Sequence, residues 1–187
     1  MRISARAIRD YPWWLRPFFW NQRRKYGAIL QPGLLWARVP KLFAAVAVLY
    51  GVLDRKGSPP SPVLRSLVTV RVAQINQCEF CVDINSATLA KRTGSMAKVE
   101  SLSQWRDSAL FDPTEQAVLE YAEAITYSER RVTDELMGKL SRFFDEDGIV
   151  ELTGLIAFQN LSSKFNSALD VPAQGLCKLP PAPANTP

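Results

Sequence analysis

The chain has no histidine, only three cysteines, and no apolar run long enough to cross a bilayer. Without His, no side chain has an ordinary titration near neutral pH, so Ser–His and Cys–His nucleophile pairs and His-ligated metal centres are excluded. Three cysteines are too few for a disulfide-stapled secreted scaffold, and a reducing cytoplasm is the expected compartment. The most apolar stretch, residues 42–53, is cut off from residues 34–39 by Pro40 and Lys41. It falls well short of the roughly 20 residues that a spanning helix needs. A signal peptide is not expected either, because Pro12, Arg16 and Pro17 break the apolar segment at 11–20 and no small-residue cleavage site follows. A glycine-rich phosphate loop, an internal repeat and a long linker are also missing.

What remains is the composition of a globular protein of 187 residues, long enough for one domain with a sizeable core. Its charge is uneven. Residues 1–60 carry eleven Lys/Arg against two Asp, a surplus of nine, while the remainder has 12 positive and 16 negative groups, a deficit of four. Trp13, Trp14, Trp20 and Trp36, four of the five Trp, lie in the same basic segment beside Phe18, Phe19 and Tyr26. Aromatics interleaved with Arg can stack on bases or sit at a headgroup layer. No nucleic-acid-binding motif accompanies them. The expected role is an arm that covers the domain or fills a subunit interface, with no nucleic-acid partner.

The rest reads as a succession of helices. Ser61-Pro62 supplies an N-cap and a first-turn proline, and Leu64, Leu67, Val68, Val72 and Ile75 then share a helical face. Alternating Val68, Val70 and Val72 leave a short strand as the rival reading. A second helix is expected from the Cys78–Cys81 region to Gly94, and a short one from Ser95 to about Trp105. Asp112-Pro113-Thr114-Glu115 is close to a complete capping signature. Thr133 caps a helix reaching about Phe144, and a long apolar helix follows Gly148 to about Leu169. The expected architecture is all-α and single-domain. It comprises a basic aromatic arm at 1–34, a helical domain at 35–175, and a Pro-rich tail at 176–187 whose composition favours disorder.

Cys78-Glu79-Phe80-Cys81 carries the chemistry. At a helix N-terminus, unpaired N–H groups and the dipole stabilise a thiolate, and a spacing of three puts both sulfurs on one face. Alternatives at this level are half a zinc site, with Cys177 and a carboxylate completing it, or two cysteines buried as small hydrophobes. Neither a metal nor an organic cofactor is expected.

Residues 64–94 resemble the core of the carboxymuconolactone decarboxylase and AhpD-like alkylhydroperoxidase superfamily. Val39-Pro-Lys-Leu42, the segment from Phe111 to Ala122, the segment from Phe158 to Asn166, and Leu169-Asp-Val171 are similar to its flanking helices. The resemblance implies an AhpD-like helical bundle that assembles into homo-oligomers. It implies a peroxiredoxin-like alkylhydroperoxidase or disulfide reductase, with a small peroxide or disulfide substrate and a thiol reductant. The second cysteine, Cys81, would attack peroxide and the first, Cys78, would resolve the sulfenic acid. Active members carry a Glu twelve residues before the first Cys and a His four after the second; here those positions are Ser66 and Asn85. Ser and Asn hydrogen-bond but do not act as bases at pH 7, and general-base help is worth about 10²–10⁴ in rate, so the expected enzyme is slow. Cys177 is read as structural or incidental, and Glu79 and Asp83 as solvated helix residues. Two other functions stay open: a decarboxylase-type lyase, with Arg65 and Arg71 clamping a carboxylate, and a non-catalytic oligomeric binding protein.

Overall fold

Local start and stop signals place most of the helices. The computed structural model describes residues 1–177, and the Pro-rich end beyond them, with its expected disorder, lies outside the described residues. Ser61 Oγ accepts the Leu64 N–H to open α4 (Pro62–Ile75), after α1 (Arg16–Tyr26), α2 (Gln31–Trp36) and α3 (Pro40–Leu53), which each have Pro in the first turn. α5 (Glu79–Thr93) stops at Gly94, whose φ of 71° is the left-handed conformation a side chain resists. α6 (Ala97–Ser101) runs on as a 3₁₀ segment to Asp107. α7 (Pro113–Thr126) begins with a reciprocal capping box: Asp112 accepts the Glu115 N–H and Glu115 accepts the Asp112 N–H. α8 (Asp134–Leu140), capped by Thr133, ends a turn before the expected Phe144. α9 (Glu146–Ala168) starts earlier than Gly148, because Asp145 accepts the Gly148 N–H at 2.8 Å. No strand occurs among the described residues.

α4 is the central element, packed against α5, α7 and α9. Leu67, Val68, Val70 and Val72 are all fully buried, although they do not lie on one helical face. A helix buried on more than one side lacks the single apolar face that marks its period, which is why the valines mimic a strand. Each such side chain contributes roughly 1.5–3 kcal/mol relative to exposure, so the two-sided enclosure outweighs the modest helix propensity of valine. Leu89, Leu102, Leu119, Leu140, Leu152 and Ile156 complete this core.

The N-terminal segment lies against its own chain. Tyr11, Leu15 and Phe19 form a second apolar cluster with Leu34, Trp36 and Phe43, and Trp36 stacks on Phe165 of α9 with ring centroids 3.5 Å apart. The Tyr11 hydroxyl donates to the Leu34 carbonyl at 2.9 Å, and the Arg2 N–H donates to the Leu169 carbonyl at 2.9 Å. Trp13 and Trp20 stay exposed. So do Val48, Leu49, Tyr50 and Val52 on the outer side of α3. No helix among the described residues is long and apolar enough to cross a membrane.

Candidate active site

The chain turns from α4 into α5 in three residues. Asn76 caps α4, the Gln77 N–H reaches the Gln74 carbonyl, and the Cys78 N–H reaches the Ala73 carbonyl at 3.0 Å. This is a Schellman stop, and it puts Gln77 at φ 51°, a position that favours glycine. The same motif ends α9: the Asp170 N–H binds the Ser167 carbonyl, the Val171 N–H binds the Asn166 carbonyl, and Asp170 has φ 55°. The Ser167 hydroxyl donates to the Asn76 carbonyl at 2.9 Å, tying the two helix ends together.

Cys78 is the N-cap of α5, and its sulfur accepts the Cys81 N–H at 3.2 Å. The two sulfurs are joined as a disulfide, with Cα atoms 5.2 Å apart. Both residues are buried, Cys78 at 1% exposure and Cys81 at 3%. Of the first-turn N–H groups of α5, that of Cys81 is the one aimed at the Cys78 sulfur. Cys81 has a different partner: Asn166 of α9, itself buried, donates its Nδ2–H to the sulfur at 3.2 Å. The Oδ1 of Asn166 has no hydrogen-bond partner among the described residues.

Asp83, one turn into α5, is buried rather than solvated. Its carboxylate accepts three backbone N–H groups, from Gln174 at 2.8 Å, Leu176 at 3.0 Å and Cys177 at 2.6 Å. It thereby folds the segment after α9 over the start of α5. Between them lies a cavity of about 480 Å³ lined by Gln77, Cys78, Glu79 and Asp83 on one side and Cys177 on the other. Glu79 is exposed, as expected.

The side chains at the two relay positions bond to groups other than the sulfurs. Ser66 is buried on α4, where its hydroxyl accepts from Arg92 at 2.9 Å. Arg92 also pairs with Asp54 at 2.9 Å, and lies eleven residues, about 16 Å of helix, beyond Cys81. Asn85 is half-buried one turn after Cys81; its Nδ2 donates at 3.4 Å to the Thr69 carbonyl and to Gln159 Oε1. The two arginines considered for a carboxylate clamp are both committed internally. Arg65 is buried and donates to Asp54 at 3.2 Å and the Pro60 carbonyl at 2.8 Å. Arg71 pairs at 2.6 Å with Glu123, which is fully buried and also holds Arg106 at 2.8 Å, Arg130 at 2.7 Å and the Trp105 indole N–H at 2.9 Å. Burial pushes the Glu123 carboxyl up, but the bonds from Trp105, Arg106 and Arg71 and the charge of Arg71 bring it down to about 2.

Residues 40–124 match the carboxymuconolactone decarboxylase family. The uncharacterized protein YnjA of Escherichia coli (strain K12) is 50% identical over 166 residues, 89% of this chain and 91% of that one. The chain belongs to the carboxymuconolactone decarboxylase family. Its bundle is the AhpD-like one. It superposes on a peroxidase-related protein of Ralstonia eutropha JMP134, described as an alkylhydroperoxidase AhpD core, with a TM-score of 0.83 at 19% identity, covering 94% of this chain and 93% of that one. The debrominase Bmp8 gives a TM-score of 0.81 at 20% identity, covering 93% and 92%. At these identities the likeness is one of fold.

Within this carboxymuconolactone decarboxylase family chain, sequence reasoning placed the dithiol at a helix start but missed three features of the site: the donor Asn166, the anchor Asp83, and the segment that closes over Cys78. A signal for the first is present. Gln159, Ser163 and Asn166 recur at helical spacing as a buried polar stripe along α9.

Proposed function

We propose that the chain is a thiol-dependent oxidoreductase, a slow AhpD-like peroxidase or disulfide reductase working in a reducing cytoplasm. The observation that carries this reading is the paired Cys78 and Cys81, each sulfur with its own N–H donor, Cys81 N for one and Asn166 Nδ2 for the other. Donors aimed at sulfur favour thiolate over thiol, and thiolate is the reacting species. In the peroxidase reaction, the Cys81 thiolate attacks the terminal oxygen of a small hydroperoxide. The O–O bond breaks, the alkoxide leaves and takes a proton from solvent, and Cys81 becomes a sulfenic acid. Asn166 donates to the thiolate through Nδ2 and accepts from the sulfenic hydroxyl through Oδ1. The Cys78 thiolate then attacks the Cys81 sulfur, the S–O bond breaks, the departing hydroxide takes a proton from solvent to become water, and the disulfide is complete. An external dithiol restores both thiols. With Ser66 and Asn85 as hydrogen-bonding remnants of a relay, no ordinary base removes the Cys81 proton, and turnover is slow.

The occurrence of the same fold in a peroxidase-related protein and in a debrominase supports an enzyme over a purely structural protein. The internal pairing of Arg65 and Arg71 weighs against the lyase reading. The exposed apolar side of α3, with Val48 at 68% and Val52 at 51% exposure, supports a homo-oligomer that covers it.

The test is a titration of fully reduced protein with hydrogen peroxide, with alkylation and mass spectrometry following each cysteine. Near-stoichiometric conversion to a Cys78–Cys81 disulfide is expected. Thiols that remain alkylatable under excess peroxide would sink the reading.

A further inference from the structure

The first helical stretch has two unlike sides. A 3₁₀ turn over Trp13–Leu15 runs directly into α1. Leu15, Phe19 and Gln22, spaced along one side, are buried against the domain. That docking lays the helix along the protein surface and turns its other side outwards. There Trp13, Arg16, Trp20 and Arg24 follow at spacings of three and four, all exposed, Trp13 at 76% and Trp20 at 62%. Trp14, Arg23 and Lys25 flank them and are exposed too, and the Arg24 guanidinium lies 5.6 Å from the centre of the Trp20 ring. No Asp or Glu occurs between Asp10 and Asp54. Among the described residues, no ion pair occupies Arg16, Arg23, Arg24 or Lys25.

We propose that this outer side of α1 is a docking surface for an anionic lipid bilayer, on which the protein rests without spanning it. The proposal is independent of the dithiol reading. An indole is apolar in body with a single N–H, and it settles where headgroups meet acyl chains. Cations beside it meet the acidic headgroups, and each adds about fivefold to partitioning onto an anionic leaflet. Four unpaired cations with no carboxylate among them make the surface complementary in charge to such a leaflet. A second copy of the chain fits less well, because a twofold contact through the same patch sets the cations of one subunit against those of the other. Nucleic acid would take up the cations, but no motif for reading it accompanies them.

Co-sedimentation of the full chain with lipid vesicles tests this. Vesicles of phosphatidylcholine with about 30% phosphatidylserine are compared with pure phosphatidylcholine. At about 0.1 M salt, binding to the anionic vesicles is expected to be at least about tenfold tighter, and to weaken about tenfold or more at roughly 0.5 M salt. Equal binding to the two, or binding to neither, overturns the proposal. Two double variants of exposed residues locate the surface, Trp13→Ala with Trp20→Ala and Arg23→Gln with Arg24→Gln. Each is expected to lose about tenfold or more in affinity for the anionic vesicles. Unchanged affinity in either overturns the assignment of this face. Wild-type protein gives a readout that no variant's folding can disturb. Its Trp emission should be quenched on anionic vesicles with brominated acyl chains, and since Trp36 and Trp105 are buried, the exposed indoles report. Binding without quenching overturns the proposal. A different occupant leaves a different pattern, with vesicle binding weak in every form. The Arg23→Gln, Arg24→Gln variant then lowers the mass by light scattering, for a second copy, or weakens binding to a single-stranded oligonucleotide, for nucleic acid. Either result overturns the bilayer reading.

Discussion

Asn166 donates its Nδ2–H to the Sγ of Cys81 at 3.2 Å, a bond between residues 85 positions apart in the chain. A hydrogen bond to a charged sulfur is worth roughly 1.5–3 kcal/mol. Asn166→Ala in a Cys78→Ser background should therefore slow the reaction of the Cys81 thiolate with peroxide about tenfold. Iodoacetamide alkylation followed across pH reads the loss of thiolate directly. An unaltered profile would mean that the contact orders the helix pair without tuning the sulfur.

Glu123 gathers Arg71, Arg106, Arg130 and Trp105 around one buried carboxylate. Its folded-state pKa is depressed to about 2 from an ordinary 4.5, so its contribution is fully present above 4.5 and is lost as pH falls towards 2. The magnitude is about 3 kcal/mol. Glu123→Gln should destabilise the protein by roughly 3–5 kcal/mol at pH 7, because it strands buried guanidinium charge. Urea melts of the variant should also lose stability less steeply than wild type between pH 4.5 and pH 3. Parallel curves would contradict the assignment.

Gln77 holds φ 51° at the turn that delivers Cys78. Glycine has no Cβ to strain there, so Gln77→Gly is expected to raise stability by about 0.5–1 kcal/mol, readable as an upward Tm shift. A lower Tm would show that the Gln77 side chain contributes more than its backbone costs.

Asp83 satisfies three N–H groups of the segment over Cys78. Asp83→Ala should free residues 174–177, giving faster amide exchange there and faster alkylation of reduced Cys78. Hydrogen exchange with mass spectrometry checks this, with residues in α7 as the internal standard. Equal exchange in variant and wild type would mean that packing of Leu176 suffices to hold the segment.

The outer side of α3 presents Val48 and Val52 one turn apart, with Leu49 and Tyr50 beside them. A charged residue at the centre of a subunit contact disrupts it, so Val48→Lys should lower the mass seen by light scattering on a sizing column. Wild-type protein running as a monomer would refute the oligomer reading.

The helix starts were the most legible part of this chain. Ser61, Asp112 and Thr133 cap the helices their positions announce, since capping depends on a side chain and an N–H three residues away. The start of α9 was misplaced by a few residues because Asp145 was not read as its cap. Asp83 was read as solvated because a lone carboxylate on a helix normally is; only the return of residues 174–177 buries it.

The sequence alone determined that the chain is helical and that a dithiol sits at a helix N-terminus, because both follow from interactions within one or two turns. It also carried enough of the family pattern, over residues 40–124, to identify the fold. Tertiary structure alone decided what surrounds the sulfurs. It brought Asn166 to Cys81 and the Cys177 segment to Cys78, and it gave Ser66 to Arg92 and Arg71 to Glu123. These pairings join residues 26 to 99 positions apart. They are set by how α4, α5, α7 and α9 pack, a property of the whole core that no local pattern encodes.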